Sequence, residues 1–233
     1  MATPDVTAIS SAVEDYAKAI YALEQRIPEQ DRGVSTNALA ERLQVSAASA
    51  SAMVKRLASM GLVAHVPYHG VRLTPEGTRV ALEVIRHHRL LETYLAVHLG
   101  VPWDRVHEEA EVLEHVLSEE LEERIAVKLG DPTHDPHGDP IPTRDGRIDE
   151  GATESMSAVE VGMHGTFVRV SDADPEMLRY LAERGIAPGQ TFEIVERQPF
   201  GGPVFARFGG EDPATVHVLG GDLVQAMRVE VAG

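Results

Sequence analysis

The chain has 233 residues, no cysteine and a formal net charge of −16 at pH 7. Without cysteine there are no disulfides and no thiolate metal ligands, and no apolar run is long enough to predict a membrane-spanning helix. The N-terminus lacks the basic start and apolar core of a signal peptide, so we expect a cytoplasmic protein. The length suits two or three domains.

The negative charge is spread unevenly along the chain. Residues 1–73 carry seven basic and seven acidic side chains, residues 74–150 carry eight and eighteen, and residues 151–233 carry six and twelve. A neutral first third can present a basic face to phosphates, whereas an acidic middle third attracts cations. The overall charge therefore does not exclude DNA binding.

The first 73 residues predict three helices followed by a hairpin, from the helical spacing of apolar residues and the short apolar runs after them. Ser11 and Glu14 match a capping box at the start of the first helix. Gly61 is placed to end the third helix in the left-handed conformation. This order is typical of a winged helix-turn-helix, whose third helix enters the DNA major groove. The predicted elements are helices 11–26, 35–43 and 46–60 and strands 62–66 and 71–73, with a turn at 67–70.

The third helix reads SAASASAMVKRLASM, with small residues early and two cations later. Hydroxyls and alanines allow close approach to phosphates and thymine methyl groups, and lysine and arginine neutralise phosphates. Serine and alanine also fill ordinary exposed helices, so it is the position between a turn and a hairpin that indicates DNA binding. The candidate DNA-binding residues are Ser46, Ser49, Ser51, Lys55, Arg56 and Arg72.

Two further predicted helices, 75–98 and 102–118, carry histidine and glutamate at spacings of three and four residues. Such spacings place the side chains on one face of each helix. Imidazole nitrogens and carboxylate oxygens that face a common space suit a divalent transition metal. The alternative is that the glutamates form an acidic, solvated helix face. The candidate ligands are His88, Glu92, His107, Glu111, Glu114 and His115.

The rest of the chain predicts a dimer interface and a small barrel. Helices 75–98, 102–118 and a shorter helix at 119–129 carry more leucine and valine than one helix pair buries, which a two-fold dimer would use. The proline-rich residues 131–158 predict a linker or an irregular strap. Short strands with glycine-rich corners then predict an SH3-type barrel. Its predicted elements are strands 165–170, 191–197, 204–208, 216–219 and 226–231 and a helix at 174–184.

Four motifs occur in a recognisable order along almost the whole chain. They are SAASASAMVKRL at 46–57, HRLLE at 88–92, HEEAEVLEH at 107–115 and DPHGDPIP at 135–142. With them the chain resembles the diphtheria toxin repressor family of metal-dependent transcriptional regulators, in its three-domain form. The resemblance implies an α+β fold with a winged helix-turn-helix DNA-binding domain at 1–73, a helical metal-binding and dimerisation domain at 74–145, a linker at 146–157 and an SH3-like, FeoA-type domain at 158–233.

The resemblance also implies two metal sites. Iron-type members have Met and Cys where this chain has Asp15 and Glu111, whereas manganese-type members have carboxylates, which suit Mn(II). Asp15 would also be favourable near a helix N-terminus without any metal. The implied regulatory ligands are Asp15, Glu111, Glu114 and His115, and the ancillary ligands are His88, Glu92 and His107, with Asp172 as a further candidate. Asp135 aligns with a Cys ligand of some streptococcal-type manganese regulators and is also a candidate ligand, although Asp before Pro is common in turns.

Several positions depart from the family pattern. Lys18 stands where two-domain manganese regulators have a Glu for a second manganese, so we do not expect that binuclear arrangement. Arg169 aligns with a barrel ligand but cannot coordinate a metal, which leaves Asp172 as the better candidate. Ala48 and Ala52 stand where other members have Pro and Gln, so the operator sequence of this chain cannot be inferred from the operators of other members.

These observations predict a homodimeric, Mn(II)-activated repressor of metal-uptake genes that binds double-stranded operator DNA and no membrane. Zn(II), Co(II) or Cd(II) could substitute in vitro. One alternative is an Fe(II)-activated repressor of iron-acquisition genes, and another is a winged-helix regulator that senses an organic ligand. A metallohydrolase is disfavoured, because the chain has no HExxH motif and no nucleophile with an evident base partner. We therefore do not expect an enzyme.

Overall fold

The computed structural model describes residues 9–27, 33–66, 70–209 and 215–232. The chain forms two compact units, and their boundary passes through one long helix. The N-terminal unit comprises Met1–His87, Glu114–Leu117 and Pro142–Arg147, and the C-terminal unit comprises His88–Leu113, Ser118–Ile141 and Ile148–Gly233.

The N-terminal unit contains the predicted three helices and two-stranded hairpin. The Ser35 and Ser46 side chains cap the second and third helices by accepting the N–H groups of Ala38 and Ser49. Gly61 ends the third helix with a φ of +76°. The predicted hairpin turn at 67–69 lies outside the described residues. The elements are α1 (Ser11–Glu24), α2 (Thr36–Arg42), α3 (Ala47–Ser59), β1 (Val63–Val66), β2 (Gly70–Leu73) and the start of α4 (Pro75–Leu99).

The predicted capping box at the start of α1 was wrong. The cap position is Ser10, and its side chain accepts no capping hydrogen bond. Glu14 does not reach back to the helix N-terminus, because its carboxylate lies against His115. A pattern that predicts local capping is here overridden by a contact with a residue far away in the sequence.

Apolar side chains at helical spacing hold the N-terminal unit together. Val13 and Ile20 of α1, Leu39 of α2 and Leu57 of α3 are all fully buried. The hairpin joins this core through α1, because the buried carboxylate of Glu24 accepts the N–H of Leu73 at 2.8 Å. The three helices and the hairpin therefore share one core.

The C-terminal unit begins with helices that differ in one place from expectation. The predicted helix at 102–118 is shorter: α5 (Val106–Leu113) passes into a 3₁₀ turn, Glu114–Val116, which belongs to the N-terminal unit. Ser118 then caps α6 (Glu119–Leu129), so the chain cannot continue as one helix. No described helix is both long and apolar enough to cross a membrane.

An antiparallel sheet with its own core forms the rest of the C-terminal unit. Its strand order is β3-β8-β4-β5-β6-β7, and Phe167, Leu181 and Met227 are fully buried inside it. The five predicted strands are present. The two-residue β3 and the six-residue α8 were missed, because they are too short to show a period. The elements are β3 (Glu154–Ser155), β4 (His164–Val170), α7 (Pro175–Ala182), β5 (Thr191–Arg197), β6 (Val204–Phe208), β7 (His217–Leu219), α8 (Gly221–Ala226) and β8 (Met227–Val231).

Residues 131–141, which we call the strap, pack against β4. The Val170 N–H donates to the His137 carbonyl at 3.0 Å. Gly138 has a φ of +88°, and a Cβ there would lie 2.0 Å from the Val168 carbonyl oxygen. Because this close approach requires glycine, the strap is a fixed part of the unit and not a free linker.

Candidate metal centres

The N-terminal unit brings three predicted regulatory ligands together. Asp15 lies on α1, and Glu114 and His115 lie on the 3₁₀ turn. The His115 Nε2 is 2.9 Å from the Asp15 Oδ1 and 3.7 Å from the Glu114 Oε1. The Glu114 carboxylate is fully buried. Two carboxylates and one imidazole thus converge as donors that suit a hard or borderline divalent cation.

Two α1 residues that sequence reasoning did not assign to this cluster also contact it. The Glu14 Oε2 lies 2.5 Å from the His115 Nδ1, so a hydrogen bond from Nδ1 to Glu14 would leave the Nε2, which faces Asp15, as the nitrogen that binds a cation. Lys18 donates to both Glu114 carboxylate oxygens at 2.9 Å. In the sequence analysis Glu14 was interpreted as a capping residue. Its position next to the candidate ligand Asp15 could have indicated that it also contacts the cluster.

The C-terminal unit brings the predicted ancillary ligands together. The Glu92 Oε1 on α4 lies 2.9 Å from the His88 Nε2 and 3.3 Å from the His107 Nδ1 on α5. The Asp172 Oδ2, just after β4, is 2.9 Å from the same His107 nitrogen. Two imidazoles and two carboxylates therefore meet in one cluster, as the donor chemistry of a divalent metal site requires.

The charges of this cluster stabilise one another. Hydrogen bonds to Asp172 and Glu92 raise the pKa of His107 to about 10. Burial opposes ionisation of Glu92, but hydrogen bonds from His107 and His88 hold its pKa below the usual range. Burial likewise opposes ionisation of Asp172, and the bond from His107 lowers its pKa. A cation bound here would displace the His107 proton.

Glu111 lies in the C-terminal unit, where its carboxylate is 3.7 Å from the His107 Nε2. Its membership of the regulatory set therefore remains a prediction from the family resemblance. Arg169, at the departing barrel position, forms ion pairs with Asp139 at 3.2 Å and Glu150 at 2.9 Å. These contacts give Arg169 a charge-pairing role.

Asp135 belongs to a second cluster of the C-terminal unit, with Glu92 and His137. The Asp135 Oδ1 accepts the N–H groups of His137 at 2.8 Å and Asp139 at 3.0 Å, which is the turn chemistry expected of Asp before Pro. Burial and the neighbouring charges of Glu92 and Asp139 raise the Asp135 pKa well above its ordinary value. Asp135 is therefore both a turn residue and a buried carboxylate near other acids.

Sequence reasoning missed His137, although it stands within the motif DPHGDPIP. It is fully buried, and its ring stacks on Trp103 with centroids 5.8 Å apart. In the sequence, His137 stands between Asp-Pro and Gly, a pattern that is typical of a tight turn. This pattern could have identified His137 as a rigidly held side chain.

Comparisons with known proteins identify the family. Residues 8–71 match the iron dependent repressor, N-terminal DNA binding domain; residues 74–143 match the iron dependent repressor, metal binding and dimerisation domain; and residues 155–231 match the FeoA domain. The diphtheria toxin repressor of Corynebacterium efficiens is 34% identical over 93% of this chain and 94% of its own length. The chain belongs to the diphtheria toxin repressor family.

Two more similarities connect this family member to metal-dependent regulation. The iron-dependent repressor IdeR of Mycobacterium leprae is 32% identical over 93% of this chain and 96% of its own. A solved manganese-dependent transcriptional repressor in complex with manganese is 43% identical, covers 93% of this chain and 98% of its own, and superposes with a TM-score of 0.84. The predicted winged helix-turn-helix, helical dimerisation and SH3-like FeoA domains are confirmed, as is the function of a metal-dependent, DNA-binding transcriptional repressor.

The third helix, α3, exposes several of the side chains that are predicted to bind DNA. Ser51, Lys55 and Arg56 are exposed on α3. Ser46 and Ser49 are exposed as well, but their hydroxyls hydrogen-bond to each other at 2.8 Å while Ser46 caps the helix. The first turn thus carries the small hydroxyls of Ser46 and Ser49, which already have hydrogen-bond partners within the turn. The exposed cations Lys55 and Arg56 follow later in the helix and can bind phosphates. Arg72 is partly buried on β2.

Proposed function

We propose that this repressor is activated by Mn(II) and binds, as a homodimer, operator DNA of metal-uptake genes. The observation that carries the proposal is the donor set of Asp15, Glu114 and His115, which contains oxygen and nitrogen and no sulfur. Carboxylate and imidazole suit Mn(II), whereas thiolate and thioether ligands select softer ions. The manganese-dependent repressor that is 43% identical to this chain supports the same metal.

The position of the three ligands explains how metal would affect DNA binding. Asp15 is part of α1, which packs in the same core as α3, whereas Glu114 and His115 lie about 100 residues later in the sequence. When bound, Mn(II) supplies the positive charge that holds these carboxylates and the imidazole close together. Asp15 would then fix α1 and the reading helix in the arrangement that fits DNA, by selecting one conformation from several.

We also propose that His88, Glu92, His107 and Asp172 form the ancillary site. Within the C-terminal unit they come from α4, α5 and the residue segment after β4. A cation held by all four would tie the barrel to the helices that carry the histidines. Its expected role is stabilisation of that unit.

The proposal is tested by fluorescence anisotropy with DNA from upstream of the repressor's own gene and of a manganese importer. Chelator-stripped protein is titrated with Mn(II), anaerobic Fe(II), Zn(II) or no metal. We expect tight binding with Mn(II) and at least tenfold weaker binding by Asp15→Ala and Glu114→Gln. Glu109→Gln, which neutralises an exposed glutamate on α5, is the matched control and should bind like the natural chain.

Two results would contradict the proposal. Equally tight DNA binding without metal would indicate that the histidine and glutamate clusters have only a structural role. It would support the alternative of a winged-helix regulator that senses an organic ligand. An equal response to Fe(II) would support the alternative of an iron-activated repressor, which the name of the 32% identical iron-dependent repressor IdeR favours.

A further inference from the structure

The turn between α2 and α3 contains a residue with an unusual backbone conformation. Gln44 has a φ of +52°, in the left-handed region that glycine adopts without strain and other residues rarely adopt. The residue ends α2 in a Schellman motif, because the Val45 N–H donates to the Ala40 carbonyl at 2.9 Å and the Gln44 N–H donates to the Glu41 carbonyl at 3.2 Å. This motif favours glycine at position 44, where the chain has glutamine.

Two other helices of the chain end in the same motif with glycine. At the ends of α3 and α6 the equivalent residues are Gly61 and Gly130, with φ of +76° and +77°. In both, the next residue donates its N–H to the carbonyl five positions earlier in the chain, as Val45 does. Glutamine in this conformation costs stability, because its Cβ crowds the backbone. Strained residues of this kind concentrate at functional sites, which points to a role for the Gln44 side chain.

The Gln44 side chain is available to a partner outside the chain. It is exposed, and its amide makes no hydrogen bond with the residues that the structure describes. A glutamine amide carries an NH₂ group that donates hydrogen bonds and a carbonyl oxygen that accepts them. Because two backbone hydrogen bonds fix the turn, this amide stands on a rigid support.

The position of Gln44 in the chain indicates which partner the amide meets. Gln44 stands two residues before Ser46, the N-cap of α3, and the third helix of a winged helix-turn-helix enters the DNA major groove. The hydroxyls of Ser46 and Ser49 in the first turn of α3 are short and hydrogen-bond to each other at 2.8 Å. Glutamine has a longer reach, and its amide is among the groups that donate to phosphate oxygens and fix the register of a protein on the duplex.

We propose that Gln44 is a DNA-contacting residue of this repressor, whose side-chain amide donates a hydrogen bond to a backbone phosphate and so positions α3 in the major groove. Glycine at position 44 would end α2 with less strain but would lack this donor. The inference goes beyond the proposed function, because it concerns how the DNA is held and does not depend on which metal activates the repressor.

Two variants of the full-length chain separate the amide from the backbone strain. DNA affinity is measured by fluorescence anisotropy on the upstream fragment that the natural chain binds most tightly, and Tm by thermal unfolding. Gln44→Ala removes the donor and keeps the strained backbone, whereas Gln44→Gly removes both. We expect both variants to lose about three- to tenfold in DNA affinity, as for one hydrogen bond. We expect Gln44→Gly alone to gain stability, so its Tm should exceed that of Gln44→Ala.

Further measurements identify the contacted group as a phosphate. A phosphate contact carries no sequence information, so both variants should lose the same factor on a scrambled duplex of equal length. Gln44→Lys adds a positive charge within reach of that phosphate and should steepen the log–log dependence of affinity on salt by about 0.9. Gly130→Gln is the matched control, since it places glutamine in the same motif with nothing within 4 Å of its Cβ position. It should lower Tm and leave DNA affinity unchanged.

Unchanged DNA affinity in Gln44→Ala would overturn the contact, whether or not Gln44→Gly binds more weakly through a more flexible turn. A loss confined to the specific fragment would indicate a base contact and, like an unchanged salt dependence in Gln44→Lys, would overturn the phosphate assignment. A Tm of Gln44→Gly below that of Gln44→Ala would contradict the strain. All chains are compared in the metal condition that gives the natural chain its tightest binding, so a failure of Mn(II) to activate contradicts the metal proposal alone.

Discussion

At the scale of single residues, charged partners decide what each candidate ligand can do. The Glu114 carboxylate is fully buried, and the Lys18 ammonium donates hydrogen bonds to both of its oxygens. His107 is held as a cation by Asp172 and Glu92. A metal that binds Glu114 in the N-terminal unit therefore competes with the Lys18 ammonium. A metal that binds His107 in the C-terminal unit competes with a proton.

Lys18→Met should increase the response of the folded chain to Mn(II). In chelator, the loss of the ammonium leaves Glu114 with one partner fewer and should cost on the order of 2 kcal/mol of stability. Mn(II) would restore that charge balance, so the rise in Tm on adding Mn(II) should exceed that of the natural chain. Lys128→Met, at an exposed site of α6, is the control, and equal metal stabilisation of all three chains would contradict the competition.

The raised pKa of His107 predicts how stability depends on pH in chelator. Because its folded-state pKa is about 10 and its unfolded value about 6.5, the stabilisation is complete below about pH 6.5 and is lost as the pH rises through 10. His107→Gln should therefore destabilise the chain at pH 6 more than at pH 10. Urea unfolding of both chains measures the difference, and a gap that widens with pH would contradict this assignment.

At the scale of structural elements, the strap and the 3₁₀ turn place ligands that the helices alone do not supply. The strap brings Asp135 and His137 to the α4 residue Glu92, and the turn Glu114–Val116 directs two successive side chains toward α1. These irregular segments thus carry much of the candidate chemistry.

Gly138→Ala should loosen the strap. A Cβ would lie 2.0 Å from the Val168 carbonyl oxygen at a φ of +88°, and the combined clash and strain should cost about 2–4 kcal/mol. Gly146→Ala is the control, since Gly146 has a φ of +73° but nothing within 4 Å of its Cβ position, and it should cost about 1 kcal/mol. Thermal unfolding compares the two, and equal losses would show that the close approach is not required.

At the scale of the whole molecule, an acidic protein binds an acidic polymer. The net charge of −16 lies entirely beyond residue 73, since residues 1–73 are balanced. Bound divalent cations would offset part of that charge, which lowers the repulsion from DNA as well as fixing the ligand-bearing elements. Metal occupancy and DNA affinity are therefore expected to be linked.

Linkage predicts that operator DNA tightens Mn(II) binding by the same factor by which Mn(II) tightens DNA binding. The Mn(II) affinity is measured with and without operator, and the DNA affinity with and without Mn(II), at one salt concentration. A scrambled duplex of the same length is the control and should change Mn(II) affinity less. Unequal factors would show that Mn(II) acts through another process, such as aggregation.

The sequence by itself determined the helices, the hairpin and most strands, because burial of one face imposes a period of 3.6 or 2 on apolar residues. Spacings of three and four residues placed His88 with Glu92 on one helix face and His107 with Glu111 and Glu114 on another, whereas the grouping of His88, Glu92 and His107 into one site came from the family resemblance. Only the tertiary structure decided that Glu14 contacts His115, 101 residues away, and that His137 faces Glu92. No local period records such contacts, because they depend on where distant segments pack and on which buried charges require a partner.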